Sequence, residues 1–362
     1  MRIALVTDAW LPQTNGVVRT LSITVEHLRA MGHHVEIIEP GLFRTVPCPT
    51  YPEIRLSLLP FRQLAQRLDR YDPDAVHVAT EGPLGGAARR WCRTRRRAFT
   101  TSYHTQFPEY VRARVPIPLA LTYAHLRRFH GEAAYTLVAT PSMLRQLEGR
   151  RFRNLALWSR GVDTAIFRPR GKQFLDLPRP IWIYFGRLAV EKGVEDFLGL
   201  QLPGSKLVVG DGPATAALKQ RFPQAHYAGY RYGEELARYV SCADVFVFPS
   251  RTDTFGLVLL EAMACGVPVA AYPVTGPCDV VLDGVTGALS EDLEAAAMRA
   301  LTMNADACRR HALKYTWGAA TQQLVAHLAA RGGARGAGEV SAEPAPSSVP
   351  MRPAPADSYR AP

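Results

Sequence analysis

The stretch at residues 250–269, SRTDTFGLVLLEAMACGVPV, combines a strand end, a turn and an apolar helix. A strand-like run, DVFVFPS, leads into it, and apolar residues with helical character follow the Phe-Gly turn. Asp253 precedes the turn, and Glu261 lies inside the apolar run. A buried carboxylate costs free energy unless it is paired or hydrogen-bonded. Because no cation is close in sequence, we expect Glu261 to meet either a ligand or a cation from another element.

The same alternation of strands and helices extends outward over most of the chain. One series of strand-like runs comprises RIALVTD, HVEIIEP, DAVHVAT, AFTTSYH and TLVATP, and a second comprises IWIYFG, KLVVGDG, HYAGY, DVFVFPS and PVAAY. Helical stretches between such strands are typical of parallel sheets. The sequence therefore predicts an α/β protein with two parallel-sheet domains, at residues 1–166 and 181–314, joined by a linker at 167–180. A final helix at 315–330 and a disordered, Ala- and Pro-rich tail at 331–362 complete the prediction.

The charge balance favours acidic partners. The 362 residues include 43 Lys and Arg against 32 Asp and Glu, a formal net charge of +11. Such an excess suits phosphorylated substrates, an anionic membrane surface or nucleic acid. No nucleic-acid-binding signature accompanies it, so we expect no nucleic-acid function. The first apolar run is too short for a signal peptide, no run is long enough to span a membrane, and the six cysteines are scattered. These features predict a cytoplasmic location.

The residues that follow the predicted strands suit a diphosphate. Ligands of open parallel sheets bind beyond the carboxyl ends of the strands. In the second domain, Arg187 and Lys192 follow IWIYFG, Gly210 and Asp211 end KLVVGDG, and a helix begins near Gly256. Arginine can bind a diphosphate bidentately, lysine acts as a point charge, and backbone amides complete the contacts.

The first domain offers fewer candidates at the carboxyl ends of its own predicted strands. Asp8 follows the first strand, Gly16 stands at a helix start where amides can approach an anion, and His104 follows AFTTSY. The G-x-G-x-x-G pattern of dinucleotide-binding proteins is missing, which argues against an oxidoreductase.

Several motifs, in order, resemble those of retaining glycosyltransferases of family 4. They are VTDAWLPQTNGVVRTL, HTQFPEY, GVDTAIFRP, GRLAVEKG, VGDGP and the opening stretch, and they cover nearly the whole chain except the tail. This family has the GT-B fold, in which two Rossmann-like domains face each other across a cleft. The variant TDTFG, together with WSRGVDTAIFRP, is most similar to the bacterial GDP-mannose-dependent α-mannosyltransferases and related glycolipid glycosyltransferases.

The resemblance implies transfer of a hexose from a nucleotide-diphosphate donor to a lipid or glycan hydroxyl, with the α configuration retained. Mannose from GDP-mannose is the expected donor, and a UDP-dependent glucosyl-, galactosyl- or glucuronosyltransferase that makes glycolipids is the nearest alternative. A nucleotide-sugar 2-epimerase and a non-catalytic nucleotide-sugar-binding protein remain further alternatives. Neither a cofactor nor a metal is expected. The D-x-D sequence at Asp72 and Asp74 precedes a strand, at the wrong end of the sheet for a ligand, and is predicted to form a turn.

The resemblance also assigns roles to individual residues. Arg187 and Lys192 would hold the diphosphate, Glu261 the ribose, and His104 would lie near the reacting sugar. Asp253 would face the donor sugar, although most of the family carries Glu at this position. The predicted catalytic set is His104, Asp253, Arg187 and Lys192. The predicted donor-binding set is Gly16, Gly210, Asp211, Phe255, Gly256, Leu257 and Glu261. The final helix would cross back onto the first domain.

The stretch at residues 117–135 combines apolar and basic residues, as in IPLALTYAHLRRFHGEAAY. A basic amphipathic helix on a positively charged protein is typical of contact with an anionic membrane. The sequence thus leaves open two alternatives: peripheral binding at the inner face of the plasma membrane, or a helix packed into the core.

Overall fold

The computed structural model describes residues 1–13, 15–48, 51–112 and 118–328. The segment 331–362, for which disorder is predicted, lies outside the described residues.

The first lobe contains a six-stranded parallel sheet and a separate antiparallel hairpin. Its strands are β1 (Arg2–Val6), β2 (His34–Ile38), β3 (Thr45–Cys48), β4 (Tyr51–Ser57), β5 (Ala75–Val78), β6 (Thr100–Tyr103), β7 (Tyr135–Val138) and β8 (Leu155–Leu157). Its helices are α1 (Gly16–Ala30), α2 (Phe61–Tyr71), α3 (Pro83–Thr94), α4 (Phe107–Arg112), α5 (Leu119–His130) and α6 (Pro141–Gly149). The strand order is β2-β1-β5-β6-β7-β8, and β3 pairs with β4 to form the hairpin.

The second lobe contains another six-stranded parallel sheet. Its strands are β9 (Ile181–Phe185), β10 (Ser205–Val209), β11 (His226–Gly229), β12 (Val245–Phe248), β13 (Val269–Ala271) and β14 (Gly287–Leu289). The helices from here to the end of the described chain are α7 (Val194–Gly199), α8 (Thr215–Arg221), α9 (Gly233–Cys242), α10 (Leu257–Ala264), α11 (Pro277–Val280), α12 (Leu293–Ala300), α13 (Ala305–Ala312) and α14 (Trp317–His327). The order is β11-β10-β9-β12-β13-β14. Two parallel-sheet α/β lobes are therefore confirmed.

The strand orders place a crevice in each lobe. In the second sheet the chain moves outward from β9 to β11 and then returns to the other side of β9 at β12. In the first sheet the corresponding reversal lies between β1 and β5. Loops diverge at such a reversal, and ligands bind there beyond the carboxyl ends of the strands. Every residue of β9 and β12 is buried because helices cover both faces of the sheet.

The last helix, α14, belongs to the core of the first lobe. Its Leu324 and the following Leu328 pack in one cluster with Leu21 and Leu28 of α1. The chain therefore passes between the lobes twice, and the two passages touch. A Cβ atom at Gly161 would lie 2.3 Å from the Trp317 nitrogen, so only glycine fits at this crossing.

Two loop and surface predictions have clear outcomes. Asp72 accepts a hydrogen bond from Arg97 at 2.7 Å, and Asp74 accepts one from the Arg2 amide at 2.7 Å. Both acids precede β5, as predicted for a structural turn. Among the described residues, no helix combines the length and the hydropathy needed for a transmembrane span.

The basic amphipathic stretch becomes α5, and its apolar face is mostly internal. Tyr123, Leu126 and Phe129 are buried against the first lobe, which agrees with the core-packed alternative. Leu121 on the opposite face is 63% exposed, and Arg128 is exposed beside it.

Candidate active site

An ion pair lies at the reversal point of the second sheet. The loop after β9 contains Arg187 and ends in a 3-10 turn, Val190–Lys192, whereas the loop after β12 carries Asp253. Lys192 Nζ lies 2.6 Å from Asp253 Oδ1. Because β9 and β12 are neighbours, this pair joins two loops at the place where the topology predicts a ligand. The structure therefore brings Arg187, Lys192 and Asp253 to one edge of the sheet.

Asp253 is only partly satisfied by this pair. Its second oxygen, Oδ2, is buried and has no hydrogen-bond partner within the described part of the chain. A buried carboxylate oxygen without a donor is costly. Oδ2 is therefore a candidate acceptor for a ligand hydroxyl.

The loop that carries Asp253 also touches the first lobe. Thr254 Oγ1 donates to the backbone oxygen of His104 at 2.8 Å, and Thr140 Oγ1 donates to the backbone oxygen of Thr254 at 3.3 Å. His104 follows β6, at the carboxyl edge of the first sheet. These hydrogen bonds place His104, in the first lobe, next to the loop of Asp253, in the second lobe. The two predicted site residues therefore lie close to each other on opposite lobes.

His104 is held in a basic environment. Its Nδ1 lies 3.3 Å from Arg160 Nη2, while its Nε2 is buried and without a partner among the described residues. Burial, followed by the positive charge of Arg160, lowers the pKa of His104 well below its usual value, and His77 and His130 act in the same direction. His104 is therefore neutral at physiological pH.

Arg160 was not singled out from the sequence. It is 4% exposed, and its Nη1 donates to the backbone oxygens of Trp158 at 2.5 Å and Ser159 at 2.9 Å. Burial lowers its pKa to about 9, so it stays charged at neutral pH. The available signal was its position in WSRGVD, which belongs to a motif of the resemblance.

Glu261 has a cation for a partner, as in one of the two alternatives. The side chain is 3% exposed, and its Oε1 forms an ion pair with Arg19 Nη1 of α1. Arg19 is 41% exposed, and its guanidinium lies 5.7 Å from the centre of the Phe167 ring. Sequence reasoning missed Arg19, because the pair joins the two lobes and depends on how they meet.

The other oxygen of Glu261 remains available. Oε2 is buried and has no hydrogen-bond partner in the described structure. Burial raises the pKa of Glu261, and the charge of Arg19 only partly opposes this rise. The site thus contains a carboxylate that is desolvated and half satisfied.

The two helix starts at this edge differ. At α1, the Asn15 side chain accepts hydrogen bonds from the Val17 and Val18 amides at 3.0 Å each. At α10, no side chain caps the N-terminus within the described chain, and Gly256 stands at the N-cap. Phe255 before it is buried, and Leu257 after it is half-buried. The start of α10 is therefore the better candidate for anion binding by amides.

Space, rather than contact, distinguishes Gly16. A Cβ atom placed at Gly16 would meet none of the described residues within 4 Å. The glycine is thus not required by the packing of the described residues, and the volume beside it is open to a ligand.

Two further candidates make local contacts. A Cβ atom at Gly210 would lie 1.9 Å from the backbone oxygen of Gly186, so this glycine allows the β9 and β10 loops to approach. Asp211 Oδ1 accepts from Thr215 Oγ1 at 2.6 Å and the Gly212 amide at 2.8 Å, and the first of these bonds contributes most to its lowered pKa. Both follow β10, one strand away from the reversal point.

Asp8 is also structural, although its position after β1 made it a candidate. Its carboxylate accepts from the Leu84 amide at 2.8 Å, the Gly85 amide at 3.3 Å and Thr80 Oγ1 at 2.9 Å. The carboxylate thus binds the first amides of α3, and we withdraw Asp8 as a ligand candidate.

Comparison with protein families gives two matches that together span both lobes. A family model described as Glycosyltransferase Family 4 matches residues 14–166. A second, described as Glycosyl transferases group 1, matches residues 179–306.

Curated relatives align over most of their length. The chain is 32% identical to a GDP-mannose-dependent alpha-mannosyltransferase of Corynebacterium glutamicum, over 91% of this chain and 89% of that protein. It is 30% identical to a protein of the same name from Mycobacterium tuberculosis, over 92% of this chain and 98% of that protein. An alpha-monoglucosyldiacylglycerol synthase of Streptococcus pneumoniae is 25% identical, over 84% of this chain and 79% of that protein.

Solved structures share the fold at low sequence identity. Anabaena HepE in complex with UDP superposes with a TM-score of 0.68 at 15% identity, over 90% of this chain and 99% of that chain. Sucrose-phosphate synthase from Thermosynechococcus elongatus gives a TM-score of 0.68 at 22% identity, over 90% of this chain and 98% of that chain.

Proposed function

The chain belongs to glycosyltransferase family 4, has the GT-B fold and is a glycosyltransferase; from this premise we propose that it transfers mannose from GDP-mannose to a hydroxyl of a lipid or glycan, with retention of the α configuration. The observation that carries the donor proposal is the identity of 32% and 30% to two proteins named for that donor, over 91% and 92% of the chain. The TDTFG sequence around Asp253 supports the same branch of the family.

In this proposal the edge at β9 and β12 binds the diphosphate. Lys192 and Arg187 supply positive charge, and the start of α10 supplies amides and the favourable end of a helix dipole. Lys192 already contacts Asp253 at 2.6 Å, so one cation links the phosphate side to the sugar side of the site. Asp253 Oδ2, Phe255, Gly256 and Leu257 then face the sugar, and Glu261 Oε2 accepts from the ribose.

The reaction needs charge stabilisation more than it needs a protein nucleophile. The bond between C1 of the sugar and the diphosphate oxygen breaks, and the acceptor oxygen bonds to C1 on the same face. The departing diphosphate takes the proton of the acceptor hydroxyl. Lys192, Arg187 and the α10 amides stabilise the negative charge that grows on this leaving group. His104 is neutral and acts by hydrogen bonding.

A donor screen tests the proposal. The purified protein is heated with GDP-mannose, UDP-glucose, UDP-galactose or UDP-glucuronate, and the same donors are supplied with lipid and glycan acceptors in a product assay. We expect GDP-mannose to raise Tm most and to yield an α-linked product that α-mannosidase cleaves.

Lys192→Ala should lower kcat/KM by about a hundredfold or more, whereas Lys219→Ala, which removes a cation stacked at 5.8 Å from the Tyr227 ring, should not.

The relative named alpha-monoglucosyldiacylglycerol synthase favours one second candidate, a UDP-glucose-dependent transferase that makes a glycolipid. In the same screen, stabilisation and turnover with UDP-glucose alone would replace the first proposal with this one. Release of free sugar epimer from donor alone, without acceptor, would indicate an epimerase. Binding without any product would indicate a nucleotide-sugar-binding protein.

The lipid version of the acceptor proposal includes contact with an anionic membrane surface. The outward face of α5 presents Leu121, 63% exposed, beside the exposed Arg128. We expect cosedimentation with anionic vesicles that weakens as salt rises. Leu121→Ser should reduce this binding, and Leu313→Ser, a change at a residue 44% exposed in the second lobe, should leave it intact. Absence of vesicle binding at low salt would remove the membrane from the proposal.

A further inference from the structure

The two ring nitrogens of His104 have different surroundings. Nδ1 lies 3.3 Å from Arg160 Nη2, and Nε2 is buried with no partner in the described residues. An arginine side chain can only donate hydrogen bonds, because its guanidinium has no acceptor and stays protonated. Nδ1 must therefore accept, and in a neutral imidazole the proton then resides on Nε2.

Arg160 is fixed in the position that imposes this choice. Its Nη1 binds the Trp158 and Ser159 oxygens at 2.5 and 2.9 Å, and its guanidinium stacks 4.3 Å from the centre of the Trp158 ring. Trp158 also meets the His104 ring edge-on at 5.7 Å. The same segment is held by Gln323, whose Oε1 accepts from the Ser159 amide at 2.9 Å. Residues 158–160, where the chain crosses between the lobes, thus fix the guanidinium of Arg160 and contact the imidazole of His104.

We propose that Arg160 is a positioning residue for glycosyl transfer: it holds His104 as the neutral tautomer with its proton on Nε2, so that His104 donates a hydrogen bond to the reacting sugar. A charged donor on Nδ1 polarises the ring and strengthens the N–H on the other side. With Nδ1 occupied and Nε2 already protonated, His104 has no lone pair for proton abstraction. This inference rests on the proposed function, in which His104 lies beside the sugar.

Burial of His104, together with the nearby positive charge of Arg160, favours this neutral state. The titratable groups that act on His104 are Arg160, His77 and His130. His77 is fully buried between Thr100 Oγ1 and Ser102 Oγ at 2.8 Å each, and burial lowers its pKa to about 3. His130 Nε2 lies 3.1 Å from Glu81 Oε1. Within the described residues, no carboxylate contacts His104 to favour its protonation.

The tautomer can be read directly in the free protein, without donor or acceptor. The protein is labelled with ¹⁵N-histidine, two-bond ¹⁵N–¹H correlation spectra are recorded from pH 5 to 8, and His104→Asn identifies the His104 signals. We expect the Nε2-protonated, neutral pattern throughout. A proton on Nδ1 of His104, or a charged His104 ring at pH 7, would overturn the proposal.

Variants connect the tautomer to catalysis. Arg160→Met should mix the tautomers, bring a histidine titration into the measured range, and lower kcat by about tenfold with a smaller change in the KM for the donor. An acid limb should appear in its pH–rate profile, because His104 can then take up a proton. Arg160→Lys keeps a charged donor and should restore part of the Nε2 preference.

Arg309→Met serves as the matched control. Arg309 is another partly buried arginine that donates to backbone oxygens, those of Phe167 at 2.6 Å and Ala264 at 2.8 Å, and no imidazole is its partner among the described residues. The Arg309→Met variant should be less stable than the unaltered protein, yet it should keep the His104 spectrum and the shape of the pH–rate profile. An unchanged spectrum in Arg160→Met would contradict the proposal. Because the spectra need no substrate, a wrong donor assignment would show in the turnover assays alone.

Discussion

Glu261 is a carboxylate that the free protein tolerates at a cost. It is 3% exposed, its only partner among the described residues is Arg19, and burial raises its pKa. A group whose pKa is higher in the folded state binds more protons there, so stability falls as pH rises from the unfolded pKa through the folded one. The cost is therefore absent below the unfolded pKa and fully present above the folded pKa.

We expect Glu261→Gln to raise Tm at pH 8 and to lose this advantage as the pH falls toward the unfolded pKa of the carboxyl group. The half-exposed Arg19 can be hydrated once its partner is neutral. On the proposed function, the same change should weaken GDP binding by about tenfold to a hundredfold, since a charged acceptor is lost. Thermal unfolding across pH and calorimetric titration with GDP measure the two effects. Glu132→Gln, at an acid 36% exposed and paired with Arg89, should show neither.

Gly16 makes a second prediction at this scale. Because a Cβ atom there would meet none of the described residues within 4 Å, Gly16→Val should leave Tm nearly unchanged. If donor or acceptor occupies that space, turnover should drop by about tenfold or more, since overlap with a bound ligand excludes it. Gly86→Val provides the control, because a Cβ atom at Gly86 in α3 also meets nothing within 4 Å in the described part of the chain. Equal turnover in both variants would show that the space beside Gly16 is not used.

The sequence could name Glu261, Lys192 and Asp253 because each stands in a motif with a strand end or helix beside it. It could not supply their partners. Arg19 reaches Glu261 from the other lobe, and Arg160 reaches His104 from the segment that leaves the first lobe after β8. Such contacts depend on how distant elements pack, which no local pattern contains.

At the scale of elements, α3 depends on an acid from another strand end. Asp8 binds the Leu84 and Gly85 amides at 2.8 and 3.3 Å. Asp8→Ala should lower the free energy of unfolding by about 2 kcal/mol, since it uncaps a buried helix start, while folded protein keeps its donor affinity. Asp292→Ala, which removes the exposed cap of α12, should cost about 1 kcal/mol or less. Chemical denaturation gives both values. Loss of donor affinity in Asp8→Ala would return Asp8 to the site.

Long, periodic elements were predictable and short edge strands were not. The spacing of Leu21, Val25 and Leu28 with Gly32 beyond predicts α1 with the observed bounds, Gly16–Ala30. The edge strands β8 and β14 have three residues each, too few to show an alternation. The β3–β4 hairpin is antiparallel and contains Pro47. It was not predicted, because the prediction followed the alternation of strands and helices that is typical of parallel sheets.

For the whole molecule, polar contacts join the two lobes, among them Arg19 with Glu261 and Thr254 with His104. Asp279 Oδ1 accepts from the amide and the hydroxyl of Ser142 at 3.0 Å each, which ties α11 to the start of α6. Interfaces of this kind permit relative motion of domains. The lobes should therefore separate more readily than either lobe unfolds.

Asp279→Ala should accelerate hydrogen exchange at the first turn of α6 by about tenfold, while global stability falls by about 1 kcal/mol. Exchange mass spectrometry and denaturation separate the two quantities. In Asp306→Ala, which changes an acid in the first turn of α13, the α6 amides should exchange as in the unaltered protein. Exchange at α6 that does not respond to Asp279 would show that this contact does not hold the lobes.

The restart of the strand pattern after residue 180 predicts two lobes, because each series is long enough to form its own sheet. The position of α14 rested only on the family resemblance, since its own sequence is apolar without indicating which lobe it covers. The packing of Leu324 and Leu328 against α1 assigns α14 to the first lobe.

That packing limits how such proteins can be recombined. A chimera that joins this first lobe to a foreign second lobe at one splice point would leave Leu21 and Leu28 facing water or a mismatched helix. Two junctions are needed, one near Gly161 and one near Trp317, so that α14 stays with the first lobe, against which it packs. Exchange of donor specificity by gene shuffling should therefore succeed with an internal cassette and fail with a simple fusion.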